Sequence, residues 1–351
     1  VKRPLSAPAA AIGGTIMLLT GSLAGCRQTA AAPTPAGSPS MSIGIDIPRT
    51  DTAFWQVYAR ELRQEVSAEH LDVLPITESQ GDDTKLAANV KALAEHRPRA
   101  IVLAPQNTTT TESVLDGLLA KHIDAISVDT VPENGQVYMV VRADNRAMGT
   151  KACEFLGKQL HGTGKVADLQ GAQDSINGYD RSQAFGYCMR TEFPGIQVLP
   201  LATDWKAEMA TTKLQSTLAS DPDLAGLYLE SGGAFLQPVL ALLQHEAVLQ
   251  PAGRPGHIAI VANDGTPAEL DAIRTGQIDA TVSQPADLYA KYALYYARAA
   301  ATGAAFAPGP TDHGSTIIAL PNGLEDQLPS PLVTKNNVAD PALWGNHATG
   351  G

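Results

Sequence analysis

Beyond Ser42 the chain alternates between short runs rich in β-branched residues and longer segments whose apolar positions recur every three to four residues. The short runs predict strands at Ile43–Ile47, Leu71–Ile76, Ala100–Ala104, Ala125–Val128, Val137–Val141, Lys165–Leu169, Gln197–Leu201, Leu224–Leu229, His257–Ala262 and Asp279–Ser283. Helices fit between them at Ala53–Ala68, Asp82–Glu95, Thr111–Lys121, Arg146–Leu160, Tyr179–Thr191, Ala207–Ala219, Phe235–Glu246, Ala268–Thr275 and Ala286–Thr302. In the first of these Phe54, Val57, Leu62 and Val66 share a face, which marks a buried stripe. Strand–helix alternation implies parallel sheets with helices on both faces. About ten strands are too many for a single sheet here, and Asp144-Asn145 makes a seam between two sets of five. The expected fold class is α/β, with two doubly wound, Rossmann-like lobes.

The segment before Ser42 follows neither pattern. Lys2 and Arg3 precede an apolar stretch, Ala9 to Leu19, that runs into Leu23-Ala24-Gly25-Cys26. The stretch is shorter than the ~20 residues of a membrane helix and ends in small residues, so residues 1–25 read as an export signal. Leu-Ala-Gly-Cys resembles the lipobox of bacterial lipoproteins, which implies lipid attachment at Cys26 and a body held outside the cytoplasm at the cell membrane. Residues 26–41 are rich in Pro, Gly and Ser without an apolar period, the composition of a flexible tether.

Composition narrows the function. The 351 residues are 44% apolar and 17% charged, too apolar for a disordered chain. A net charge of −11 disfavours nucleic acid, which needs clustered Lys and Arg. Eight His form no cluster and the Cys match no zinc spacing, so no metal is expected. No strand ends in G-x-G-x-x-G, Gly162-Thr163-Gly164-Lys165-Val166 lacks the rest of a phosphate loop, His245-Glu246 lacks a second His, and there is no G-x-S-x-G elbow. Neither an enzyme nor a cofactor is expected. Cys153 and Cys188 fall in two helices of the second lobe and are either a disulfide or two separate small buried residues.

In doubly wound sheets ligands bind beyond the carboxyl ends of the strands. There the chain carries Thr52, Phe54 and Trp55, then Gln106, Asp129, Trp205, Ser231, Asp264 and Gln284, with Arg181 just inside a following helix. Aromatic rings for C–H faces, carboxylates and amides for hydroxyls and one guanidinium make a mixture suited to a neutral sugar. Each residue also has an ordinary role open to it: helix core for Phe54 or Trp55, helix capping for Asp129 or Asp264, a surface charge for Arg181. Trp205 in a loop is the hardest to explain structurally.

The same residues resemble the periplasmic sugar-binding proteins of ABC importers, in the ribose-binding branch, from about Ser42 to Val338. The resemblance rests on Phe54-Trp55, Ser127-Val128-Asp129, Ala143-Asp144-Asn145, Arg181 four residues before Phe185, Asp204-Trp205, Asp264-Gly265-Thr266-Pro267, Thr281-Val282-Ser283-Gln284, and the run Leu332 to Val338. It implies a type I periplasmic binding protein. Its N-terminal lobe would span 42–143 plus about 285–313, and its C-terminal lobe 144–284 plus about 314–338. The hinge would be crossed near Ala143-Asp144, Gln284-Pro285 and His313-Gly314. It further implies a monomer that captures a carbohydrate (hexose, pentose or alditol) and delivers it to ABC permease subunits. Feeding a membrane sensor kinase is the alternative. A repressor core would need an N-terminal helix-turn-helix, whose place the lipobox and tether take. By the resemblance Phe54 and Trp55 stack on the sugar and Asp129 binds hydroxyls, while Arg181, Trp205, Asp264 and Gln284 close from the other side. Thr52, Ala104 and Ser231 depart from the ribose pattern, which has Asn at each, and so point away from ribose towards a hexose or alditol. Residues 339–351 carry no readable motif.

Overall fold

The computed structural model describes residues 41–108 and 111–347. The expected export signal, Cys26 and residues 26–40 of the expected tether lie outside the described residues. Among the described residues, no helix is long and apolar enough to cross a membrane.

The alternating pattern becomes two sheets. The first contains β1 (Ile43–Ile47), β2 (Thr77–Glu78), β3 (Ala100–Leu103), β4 (Asp124–Val128) and β5 (Met139–Ala143). The second contains β6 (Gly164–Gln170), β7 (Ile196–Ala202), β8 (Leu224–Leu229), β9 (Ala259–Asp264) and β10 (Ala280–Ser283). Late strands β11 (Gly309–Pro310), β12 (Thr316–Leu320) and β13 (Gly323–Leu328) join the first sheet, and β14 (Leu332–Thr334) joins the second. The spatial orders are β11-β12-β13-β5-β4-β3-β1-β2 and β14-β10-β9-β8-β6-β7.

Helices α1 (Ala53–Ala68), α2 (Asp83–Glu95), α3 (Glu112–Leu119) and α9 (Ala286–Ala301) cover the first sheet. Helices α4 (Asn145–Gln159), α5 (Ile176–Glu192), α6 (Ala207–Ser220), α7 (Gly232–His245) and α8 (Pro267–Thr275) cover the second. Strands buried on both faces explain the unbroken apolar runs. In β3, Ala100 and Val102 pack in one core cluster while Ile101 and Leu103 pack in another, on the opposite face. Cys153 of α4 and Cys188 of α5 are joined in a disulfide with Cα atoms 6.1 Å apart.

Several expectations are corrected. The sheets have eight and six strands rather than five each, because the sequence reading stopped short of the hairpin β12–β13, turned at Pro321-Asn322. With β11 to β13 in the first sheet, the third crossing falls at residues 329–331, not at His313-Gly314. The strand expected at Leu71–Ile76 contributes only a bridge from Val73 to Ile43 before β2. Pro75 lacks the N–H that a continuous ladder needs. Strands β5 and β9 end two residues later than the apolar runs suggest, since Arg142 and Ala143 pair with Gln327 and Leu328, and Asn263 and Asp264 pair with Val282 and Ser283. Helix α5 begins at Ile176, three residues early, and this brings Asn177 into the helix.

Candidate functional site

The carboxyl ends of both sheets face a common cleft, and there Thr52, Phe54, Trp55, Gln106, Asp129, Arg181, Trp205, Ser231, Asp264 and Gln284 all line a single cavity of about 120 Å³. The first-lobe wall is built by the start of α1. Thr52 caps that helix, its Oγ1 accepting the Trp55 amide at 3.4 Å, which throws the next turn towards the cleft. Phe54 and Trp55 are largely buried and meet edge to face at 4.9 Å. Phe54 also meets Tyr289 of α9 edge to face at 5.5 Å. The helix-core role and the wall role are therefore held by the same residues.

The second-lobe wall is a hydrogen-bonded frame around Arg181, which is only 4% exposed and so is no surface charge. Its Nε donates to Asn145 Oδ1 at 2.6 Å, Nη1 to the Glu230 carbonyl at 2.5 Å and Nη2 to Gln284 Oε1 at 2.5 Å. The guanidinium lies 5.6 Å from the Trp205 ring centroid, within cation–π range. Gly171 makes room for that indole, since a Cβ there would come within 2.0 Å of it. Asp264 Oδ2 accepts from Ser231 Oγ at 2.8 Å and from the Gly233 amide at 2.9 Å, leaving its other oxygen for the cavity. Capping of α8 falls instead to Thr266, in a reciprocal capping box with Glu269.

The two walls also bond to each other. Asp129 accepts from Asn177 Nδ2 at 2.7 Å and from Gln284 Nε2 at 3.2 Å, and Asn177 Oδ1 accepts from Arg142 at 2.9 Å. Asn177 and Asn145 are polar groups that strand-end reasoning missed, whereas Glu230 stands at the end of β8. Asn177 and Asn145 sit in the first turns of helices, and the main-chain carbonyl that Glu230 supplies has no sequence signal.

Burial raises the carboxyls of Asp129 and Asp264 above the usual range, opposed chiefly by the nearby Arg181 charge. Behind them Glu230 is pushed up to about 7 and Glu269 to about 8, in both cases by burial first. Asp129 (φ 69°), Trp205 (φ 60°) and Asp264 (φ 114°) all hold the left-handed backbone that favours glycine. Among the described residues ten non-glycines hold positive φ, and these three of them line the cavity. Among the described residues no cluster of His, Cys, Asp or Glu could hold a metal ion.

Two α/β lobes meeting at an aromatic and hydrogen-bonding cleft define a solute-binding protein. The chain belongs to the periplasmic binding protein family, whose domain profile matches residues 43–305. That family comprises extracytoplasmic solute-binding proteins rather than enzymes. The chain is 23% identical over 256 residues to the ribose import binding protein of Bacillus subtilis (strain 168), covering 72% of this chain and 79% of that protein. It also resembles the structure of an ABC transporter solute-binding protein from Bacillus halodurans C-125 with bound myo-inositol, with a TM-score of 0.73 and 20% identity over 86% of this chain and 97% of that one. A solute-binding protein from Agrobacterium vitis bound to α-D-tagatopyranose gives a TM-score of 0.70 and 24% identity over 87% and 98%. The two structural likenesses are likenesses of fold.

Proposed function

We propose that this chain captures a neutral monosaccharide or sugar alcohol between its lobes and delivers it to an ABC permease, acting as a monomer anchored to the membrane through lipid on Cys26. The observation that carries the reading is the convergence of two aromatic residues from α1, two buried carboxyls, one buried guanidinium and the Gln284 amide on one small cavity. Carboxyls accept from hydroxyls, the ring faces take C–H groups, and Arg181, aided at Asp129 by the buried Arg142, offsets the acids, so a neutral polyol meets no uncompensated charge. The cavity's size suits one sugar ring rather than an oligosaccharide. The hydroxyls of Thr52 and Ser231 are partly committed to helix caps, and Ala104 offers no side-chain polar atom. Fewer free side-chain partners than the ribose pattern provides favour a hexose or alditol over ribose.

A thermal-shift screen of pentoses, hexoses, alditols, sugar acids and amines tests this. A ligand at 100 times its dissociation constant adds about 2.7 kcal/mol of stability. The reading expects that gain from one or more neutral hexoses or alditols. Stabilisation by charged solutes alone would refute it, and submicromolar ribose binding in a fluorescence titration would refute the preference against ribose.

A further inference from the structure

The segment beyond Val338, which carries no readable motif, is fastened into the back of the cleft. Val338 and Leu343 pack in the second-lobe core. Arg274 of α8 donates to the Val338 carbonyl and to Asn346 Oδ1, and Asn346 Nδ2 donates to the carbonyls of Val338 and Asp340. So held, Trp344 is 2% exposed and packs in the first-lobe cluster, its ring edge to face with Phe54 at 6.2 Å. Its indole Nε1–H donates to the main-chain carbonyl of Asp264 at 3.0 Å. That carbonyl also accepts the amide of Gln284 at 2.9 Å, the last residue before the second lobe crossing.

Asp264 needs such support. At φ 114° its backbone is in a region that side-chain-bearing residues rarely adopt, and such a conformation persists only where surrounding bonds over-determine it. The next tail residue, Gly345, lies so close that a Cβ there would be 2.3 Å from the Gly265 carbonyl. The tail backbone thus lies directly on the Asp264-Gly265 turn.

We propose that Trp344 is a positioning residue for the solute site: its N–H pins the strained Asp264 carbonyl and its ring backs Phe54, so one side chain sets a residue on each wall. The proposal rests on the sugar-binding reading. A tail that merely completed the core would need the indole ring but not its N–H. The test is therefore Trp344→Phe in the full chain, with Gly345→Ala as a second variant that lifts the tail backbone. Three quantities are read: the Kd for the sugar that the screen selects, the thermal midpoint without sugar, and the hydrogen-exchange rate of residues 263–265 and the Gln284 amide. Trp344→Phe should raise Kd roughly 5- to 10-fold, the scale of one hydrogen bond to a buried acceptor, and should also lower the sugar-free midpoint, because the smaller ring leaves a void in the first-lobe core. Exchange at residues 263–265 and 284 should quicken, and Gly345→Ala should act in the same direction. Wild-type Kd in Trp344→Phe, or wild-type exchange at residues 263–265 and 284, would overturn the proposal. Should the wild type bind no sugar, the sugar-binding reading fails, and exchange alone decides the positioning role: faster supports it, unchanged overturns it.

Discussion

The two walls of the cleft are built on different principles. The first-lobe wall is held by packing, with Phe54 and Trp55 wedged edge to face among Tyr58, Tyr289 and Trp344. The second-lobe wall is held by directed bonds, in which Arg181 reaches Asn145, Glu230 and Gln284 and Asp264 is clasped by Ser231 and Gly233. Packing tolerates exchange among apolar shapes, whereas a buried polar frame loses more when one partner is removed. The frame should therefore set which hydroxyls are accepted, and the aromatic wall how tightly a ring is gripped.

Breaking the frame should have the largest effect. Arg181→Ala leaves the Gln284 and Asn145 oxygens without their donor and removes the cation that offsets Asp129 and Asp264. Denaturant unfolding should show a loss of about 3–5 kcal/mol, as for other buried charges deprived of a partner, and calorimetry should find sugar binding abolished. The double variant Cys153→Ala/Cys188→Ala should come next. The disulfide closes a loop across a separation of 35 residues between the helices that carry Asn145 and Arg181. Its loss should cost about 2–4 kcal/mol in unfolding. Kd should move by less than about threefold, because the hydrogen bonds to Arg181 remain.

The third effect depends on pH. Glu269, raised from an ordinary value of 4.5 to about 8, binds its proton more tightly folded than unfolded. Its contribution to stability is thus full below about pH 4.5 and is lost as pH rises through about 8. Glu269→Gln, which imitates the protonated acid, should flatten the fall in unfolding free energy across that window, by on the order of 2 kcal/mol. Thermal unfolding of both proteins at half-unit pH steps checks the slope. The smallest effect falls on the packed wall. Phe54→Leu keeps an apolar side chain but forfeits the ring contacts, worth about 1 kcal/mol, and should weaken sugar binding by about fivefold while folding survives.

The same contrast explains what was legible in the sequence. Local signals reported the first wall: the stripe of Phe54, Val57, Leu62 and Val66 marked the helix, and its bounds, Ala53–Ala68, are those of α1. They also identified Trp205, Asp264 and Gln284 at strand ends and Arg181 inside a following helix, and all of them line the cavity. What they could not report is how the second wall is supported. Asn145 and Arg181 are 36 residues apart, and Arg181 and Gln284 are 103 apart. Those pairings exist only once the sheet is assembled. The late strands escaped for a related reason: β11 has two residues and the polar stretch Glu325-Asp326-Gln327 in β13 breaks the apolar run, so pairing with β5, not composition, makes it a strand. Trp344 was unreadable because its partners, Phe54 and Asp264, lie in opposite lobes.

The central claim is that a neutral sugar is gripped by both walls at once. Hydrogen exchange of the full chain, with and without a saturating concentration of the sugar chosen by the screen, tests it most directly. The account predicts protection in residues 51–56 and 127–131 of the first lobe together with residues 176–183, 203–206, 230–234 and 263–265 of the second. Protection confined to one lobe, or falling outside these segments while the sugar is bound, would contradict it.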